Sequence, residues 1–140
     1  MQTFLPLPSF KESAKVLDYR RLGKQRVEAM QILNVLRGRQ KTNGWRSHPA
    51  VLMWVGYETA LEKYHDTMIV EWVSRGYNNS MQLAKPTGRI KMPWWFGHEC
   101  FHASHRGNLL RKEPDHYGAF GWKESHDVPY WWPSFENKSV

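Results

Sequence analysis

Trp54, Tyr57, Leu61, Tyr64, Met68 and Trp72 recur at steps of three or four residues. An α-helix places such residues on one face, because 3.6 residues complete a turn. A face this apolar has to be buried, so the chain is committed to packing helices against one another. His48-Pro49 opens the segment. Proline suits a first helical position because its missing N–H has no helical partner there. Gly76 is placed to end the segment in the left-handed conformation. Gly56 lies inside it and marks either a close helix crossing or a break into two helices.

A second helix is expected from Asp18 to Leu36, with the Asp18 carboxylate accepting from the free N–H groups at its start. Leu22, Ala29, Leu33 and Leu36 can face a core. Arg21, Lys24 or Gln25, Glu28 and Gln31 fall on one polar stripe. A single acid in a row of cations and amides suits an acid/base carboxylate over a polyanionic ligand. It also suits a solvated face with a Lys24–Glu28 pair worth only ~0.3–0.5 kcal/mol.

Upstream, Pro6 and Pro8 restrict their neighbours to extended conformations, so residues 1–8 read as an extended arm with Phe4, Leu5 and Leu7 buried. Ser9 and Glu12 form a capping-box pattern for a short helix from Phe10 to Val16. Gly38 to Ser47 is a basic connection with a turn at Asn43-Gly44. Residues 77–93 lose periodicity and read as a loop bearing Lys85, Arg89 and Lys91. A last helix is expected from about Gly97 to Lys112, before Pro114. From about residue 117 to residue 140 an aromatic tail follows, either a clamp over the core or a base-stacking platform. No run alternates cleanly over six residues, so strands are not expected. The expected fold is mainly α: a single compact helical domain over residues 1–140, with the arm at one end and the tail at the other.

His98, His102 and His105 share one face of the last helix, a spacing compatible with metal binding. No local Asp or Cys completes a four-ligand set, so a metal is not expected. His105, Arg106, Asn108, Arg111 and Lys112 read more simply as a phosphate-binding face. His48, beside Arg46, is a capping or packing histidine, a phosphate ligand or a proton carrier. Cys100, beside Phe101, reads as a core thiol. The sequence carries no phosphate-cradling glycine loop, Ser-His-Asp order or CxxC motif.

A net charge of +7 and a sequence pI near 9.7 point to a polyanionic partner, most often nucleic acid, with a membrane surface as the competing reading. No apolar run is long enough to span a bilayer, and Met1-Gln2-Thr3-Phe4 lacks the features of a secretory signal. One cysteine provides no disulfide framework, so a reducing, cytoplasmic setting is expected.

Three blocks in order resemble the pyrimidine-dimer DNA glycosylase family of phages and bacteria. The first is Leu17-Asp18 with Glu28-Ala29 beginning 11 positions after Leu17, followed by Gln31. The second is Gly44-Trp45-Arg46-Ser47-His48-Pro49 with the helix ending Val73-Ser74-Arg75-Gly76-Tyr77. The third runs from His98-Glu99 through Ser104-His105-Arg106-Gly107-Asn108 to Lys112, then Pro114 and Tyr117.

The resemblance implies a helical domain in which the arm threads between helices and brings the terminal α-amine to the active site. The amine attacks C1′ of the target nucleotide, the base leaves, an imine forms, and elimination breaks the strand. Glu28 is implied as the acid/base group, with no metal or cofactor. A free α-amine titrates near ~7.7–8, so a useful fraction is neutral and nucleophilic at cellular pH. Gln2 is bulky enough to hinder removal of Met1, so the nucleophile is expected to be the Met1 amine. Val27 stands where the family has an arginine beside the glutamate, with Arg26 or Arg21 expected to substitute.

The expected partner is double-stranded DNA at the nucleoid, held by a monomer through Arg20, Arg21, Lys24, Gln25, Arg26, Arg46, His48, His105, Arg106, Asn108 and Lys112. The expected substrate is a damaged or modified pyrimidine. A non-catalytic nucleic-acid-binding module, or an enzyme acting on modified nucleotides, remains open at this level.

Overall fold

In the computed structural model, residues 1–39, 44 and 46–134 are described. Asn43 of the expected turn and Trp45 of the second block lie outside them, as does the end of the aromatic tail. Ser9 Oγ accepts from Glu12 N at 3.1 Å and starts α1, Phe10–Val16. Asp18 accepts from Arg21 N at 3.3 Å and starts α2, Tyr19–Leu36. His48 Nδ1 accepts from Ala50 N at 3.0 Å and caps α3, Pro49–Leu52. The long periodic segment is then interrupted at Gly56, whose φ of +84° is one that L side chains rarely adopt, and it resumes as α4, Glu58–Ser74. It is therefore two helices in one apolar register. The last long helix, α5, spans Glu99–Lys112, and Pro114 opens a short unexpected helix, α6, Pro114–Tyr117. Among the described residues there is no strand. No helix among them is long and apolar enough to cross a membrane.

α2 and α1 both pack on α4, and α3 packs on α2. Trp54, Leu61, Tyr64 and Met68 are fully buried, as their spacing requires, whereas Tyr57 and Trp72 pack at the margin of the core. Trp95, Phe101 and Tyr117 are fully buried as well. Cys100 departs from expectation. It is exposed, because the register that turns Phe101, His102 and His105 inward turns its thiol outward. The 77–93 segment forms no regular element and is pinned by Asp66, which accepts from Ala84 N at 2.7 Å and Lys85 N at 2.8 Å.

The aromatic tail crosses α5 as a strap. Asn108 Nδ2 donates to Val128 O at 3.0 Å, and Trp131 N donates to Ser104 Oγ at 3.1 Å. His98 stacks on Trp131 with ring centroids 4.4 Å apart. The strap lies so close because position 107 is glycine. A Cβ there would sit 2.2 Å from Val128 Cγ1 and 2.6 Å from the Ser125 carbonyl oxygen. Gly107→Ala is expected to cost about 1–3 kcal/mol by overpacking. Thermal unfolding reads the loss, and Trp131 becomes more accessible to a fluorescence quencher.

Candidate active site

The arm enters the interior with no strand beside it, so its buried backbone groups must find partners elsewhere. Side chains supply them. Trp54 Nε1 donates to Thr3 Oγ1 at 3.1 Å. Phe4 N donates to Gln25 Oε1 at 2.9 Å, and the Tyr64 hydroxyl lies against both Phe4 O, at 2.9 Å, and Gln25 Oε1. Leu5 N donates to His105 Nδ1 at 2.9 Å, and Leu5 O accepts from His102 Nδ1 at 2.7 Å. Gly97 N donates to His102 Nε2, which leaves Nδ1 as the protonated nitrogen of that ring. Arg106 Nη1 donates to Pro6 O at 2.8 Å. Helices α2, α4 and α5 thus grip one short stretch from three sides.

This grip delivers the chain start to a cleft of about 470 Å³. Met1 and Gln2 form its floor with Glu28, and Gln2 N points at Glu28 Oε2 over 3.4 Å. Gln25 Nε2 donates both to Glu28 Oε2 and to Gln2 O, each at 3.0 Å. Glu28 is therefore tied to the arm and is not part of a solvated charge row. Arg20, Arg21, Lys24 and Lys112 make one wall. Arg21 is shared between Asp18, at 3.2 Å, and Glu113, at 3.6 Å. Partial burial and then the charges of Arg21, Arg111 and Lys24 push the Lys112 ammonium down from its ordinary value. Phe4, Tyr130, Trp132 and His48 line the cleft with aromatic rings. His48 is pushed down by burial and then by the terminal ammonium, which favours the neutral ring.

Of the residues expected from the sequence to act together, Met1, Gln25, Glu28, Arg20, Arg21, Lys24, His48 and Lys112 meet at this cleft. Others are placed differently. His105 and Asn108, like Gln25, are 1% exposed, and the polar atoms of the three bond to the arm, Glu28, Ser104, Arg111 and the strap. Arg106 is bound by Glu99 and by Glu124 at 2.8 Å, besides the arm. Arg26 lies on the far flank of α2, over the Trp72 ring at 4.3 Å and bonded to Asn79 at 2.6 Å. Arg46 is exposed but does not line the cleft. Of the residues expected on the α5 face, Lys112 in the last turn lines the cleft. Tyr130 and Trp132 were legible only as an aromatic tail, since no spacing rule says which rings turn toward a cleft.

Burial drives His105 down to about 3, with His102 adding to the shift. In the unfolded chain an imidazole titrates near ~6.5. The folded value is the lower one, so this contribution to stability is complete above pH 6.5 and is lost as pH falls from there toward 3. Protonation would also remove the acceptor for Leu5 N. His105→Asn, which keeps an acceptor but cannot titrate, is expected to lose less stability between pH 7 and pH 5 than the parent does. Urea unfolding at both pH values measures it.

The family model described as pyrimidine dimer DNA glycosylase matches residues 1–85, more than half of the chain. That span contains the arm, the caps and helices α1 to α4, and with them Met1, Gln25 and Glu28. No curated protein and no solved structure matches the chain. On that match the chain belongs to the pyrimidine dimer DNA glycosylase family, whose members act on DNA.

Proposed function

We propose that the protein excises a damaged or modified pyrimidine from duplex DNA and cleaves the resulting abasic site, with the Met1 α-amine as nucleophile and Glu28 as the acid/base group. The observation that carries this reading is the hydrogen-bonded junction of Gln2, Gln25 and Glu28, which sets Met1 and Glu28 in one cleft lined by cations. The neutral amine attacks C1′. The glycosidic bond breaks, and its electron pair leaves with the base, which takes up a proton. Nitrogen loses its protons as the C1′–O4′ bond opens, O4′ is protonated, and a C1′=N imine remains. Removal of a C2′ proton then expels the 3′ phosphate, and water releases the sugar. A carboxylate that lines the same cleft as the terminal residue and reaches the Gln2 N–H suits these proton transfers. Arg20, Arg21, Lys24 and Lys112 would bind the phosphates, and Tyr130 or Trp132 offers a ring on which an extruded base can stack.

The test is incubation with abasic-site duplex and borohydride, whose hydride reduces the imine to a stable amine, followed by peptide mapping. An adduct on Met1 is expected, and its absence alongside tight, salt-sensitive binding would favour a non-catalytic module. Glu28→Gln is expected to keep duplex affinity and lose strand cleavage, at least ~100-fold by analogy with other acid/base groups. Equal cleavage rates would remove Glu28 from the chemistry. Lys112→Ala is expected to weaken binding uniformly and flatten the salt dependence by about one unit of slope. Arg106→Ala is expected to lower thermal stability, because it frees the arm and strips two carboxylates of their partner.

A further inference from the structure

Gln25 lines the cleft but is almost wholly enclosed, at 1% exposure. Its side-chain oxygen accepts from Phe4 N and lies against the Tyr64 hydroxyl. Its nitrogen carries two protons, one given to Gln2 O and the other to Glu28 Oε2. All of its hydrogen-bonding capacity in this arrangement is therefore spoken for by the arm, α4 and Glu28. The amide cannot flip without setting donor against donor at Phe4 N and acceptor against acceptor at Glu28, so its orientation is fixed by chemistry as well as by packing. A glutamate three residues along α2 would otherwise be free to choose rotamers over an open cleft.

From this junction we infer that Gln25 is a positioning residue for the reaction: one rigid amide sets the terminal residues and the Glu28 carboxylate at a fixed separation, before any DNA arrives. The inference rests on the terminal-amine reading above. Gln25 touches neither DNA nor the reacting carbon. It acts by holding the Glu28 carboxylate and the Gln2 carbonyl next to the terminal residue, which matters because a displacement of about 1 Å at a reacting pair can cost ~100-fold in rate. Its place within the arm's clamp means that the position of the nucleophile and that of the acid/base group are set by one side chain and change together.

Two variants separate positioning from stability. Gln25→Met removes the amide at similar length without adding charge. Gln25→Glu keeps an acceptor for Phe4 N and loses both donors. The readouts are the borohydride-trapping rate at saturating abasic duplex, the duplex Kd and the Tm. A third variant, Arg75→Ala, calibrates stability loss far from the cleft, since Arg75 ties α4 to the carbonyls of Ala14 and Lys15 at 3.0 Å.

Both Gln25 variants are expected to trap at least ~10-fold more slowly at saturation, with Kd within about threefold of the parent, while Arg75→Ala loses Tm and keeps the parent rate. A folded Gln25→Met or Gln25→Glu chain that traps at the parent rate overturns the inference. So does a rate loss in Arg75→Ala that matches its Tm loss, or the failure of both Gln25 variants to fold, which would make the residue purely structural. A parent chain that forms no adduct defeats the terminal-amine reading itself, and is told apart because no variant need be made to see it.

Discussion

Everything at the cleft depends on how an isolated extended segment is satisfied inside a helical core. Thr3 to Pro6 carry peptide groups that no neighbouring strand can pair, and an unpaired buried group costs roughly 1–3 kcal/mol. Gln25, Tyr64, His102, His105 and Arg106 meet that demand one bond at a time. Each comes from a helix that is already fixed by apolar packing. The arm has no hydrogen-bonded register of its own to slip along, so its position is as definite as that of the helices. A chain terminus would ordinarily fray. Here the accounting of polar groups holds it in place.

The same requirement divides α2 lengthwise. Its core flank carries Leu22, Ala29 and Leu33 together with the buried Gln25. Its cleft flank carries Arg20, Arg21, Lys24 and Glu28. On the far flank, Trp72 lies against Gly23, where a Cβ would meet its ring at 2.9 Å, and Arg26 covers that ring. Arginine at three positions of one helix thus does three jobs: Arg20 at the cleft, Arg21 between two carboxylates, and Arg26 on an indole. Two of the aromatic rings that line the cleft come from the far end of the chain. Tyr130 and Trp132 reach the cleft because the strap is held on α5 by Asn108 and Ser104. One cleft therefore joins cations suited to a phosphate backbone and aromatic rings suited to a base.

Much of this was legible in the sequence, for reasons that are local. Ser9, Asp18 and His48 start helices because a side-chain acceptor meets free N–H groups a few residues on. Trp54, Leu61, Tyr64 and Met68 are buried because their spacing puts them on one face. Gly56 breaks a helix because its backbone needs positive φ. Glu28 could be singled out as the one acid of its stripe, and the arm could be read as extended from two prolines. All of these follow from interactions within about a turn or two of the helix, or from one residue's own backbone limits.

Tertiary structure decided the rest, because it depends on partners far away in the chain. A histidine spacing that is compatible with a metal, with phosphate or with packing became the anchor of Leu5, from 97 and 100 residues away. Arg106, Asn108 and Gln25 have polar groups that suit DNA, but buried carbonyls and carboxylates reach them first. Cys100 faces outward though its neighbour is core. The sequence by itself determined the helices, their buried faces and the stock of cations, since spacing and net charge are properties of the chain alone. Only the folded structure determined which polar side chains remain available at the cleft, since a hydrogen bond made inside the protein removes a group from anything outside it.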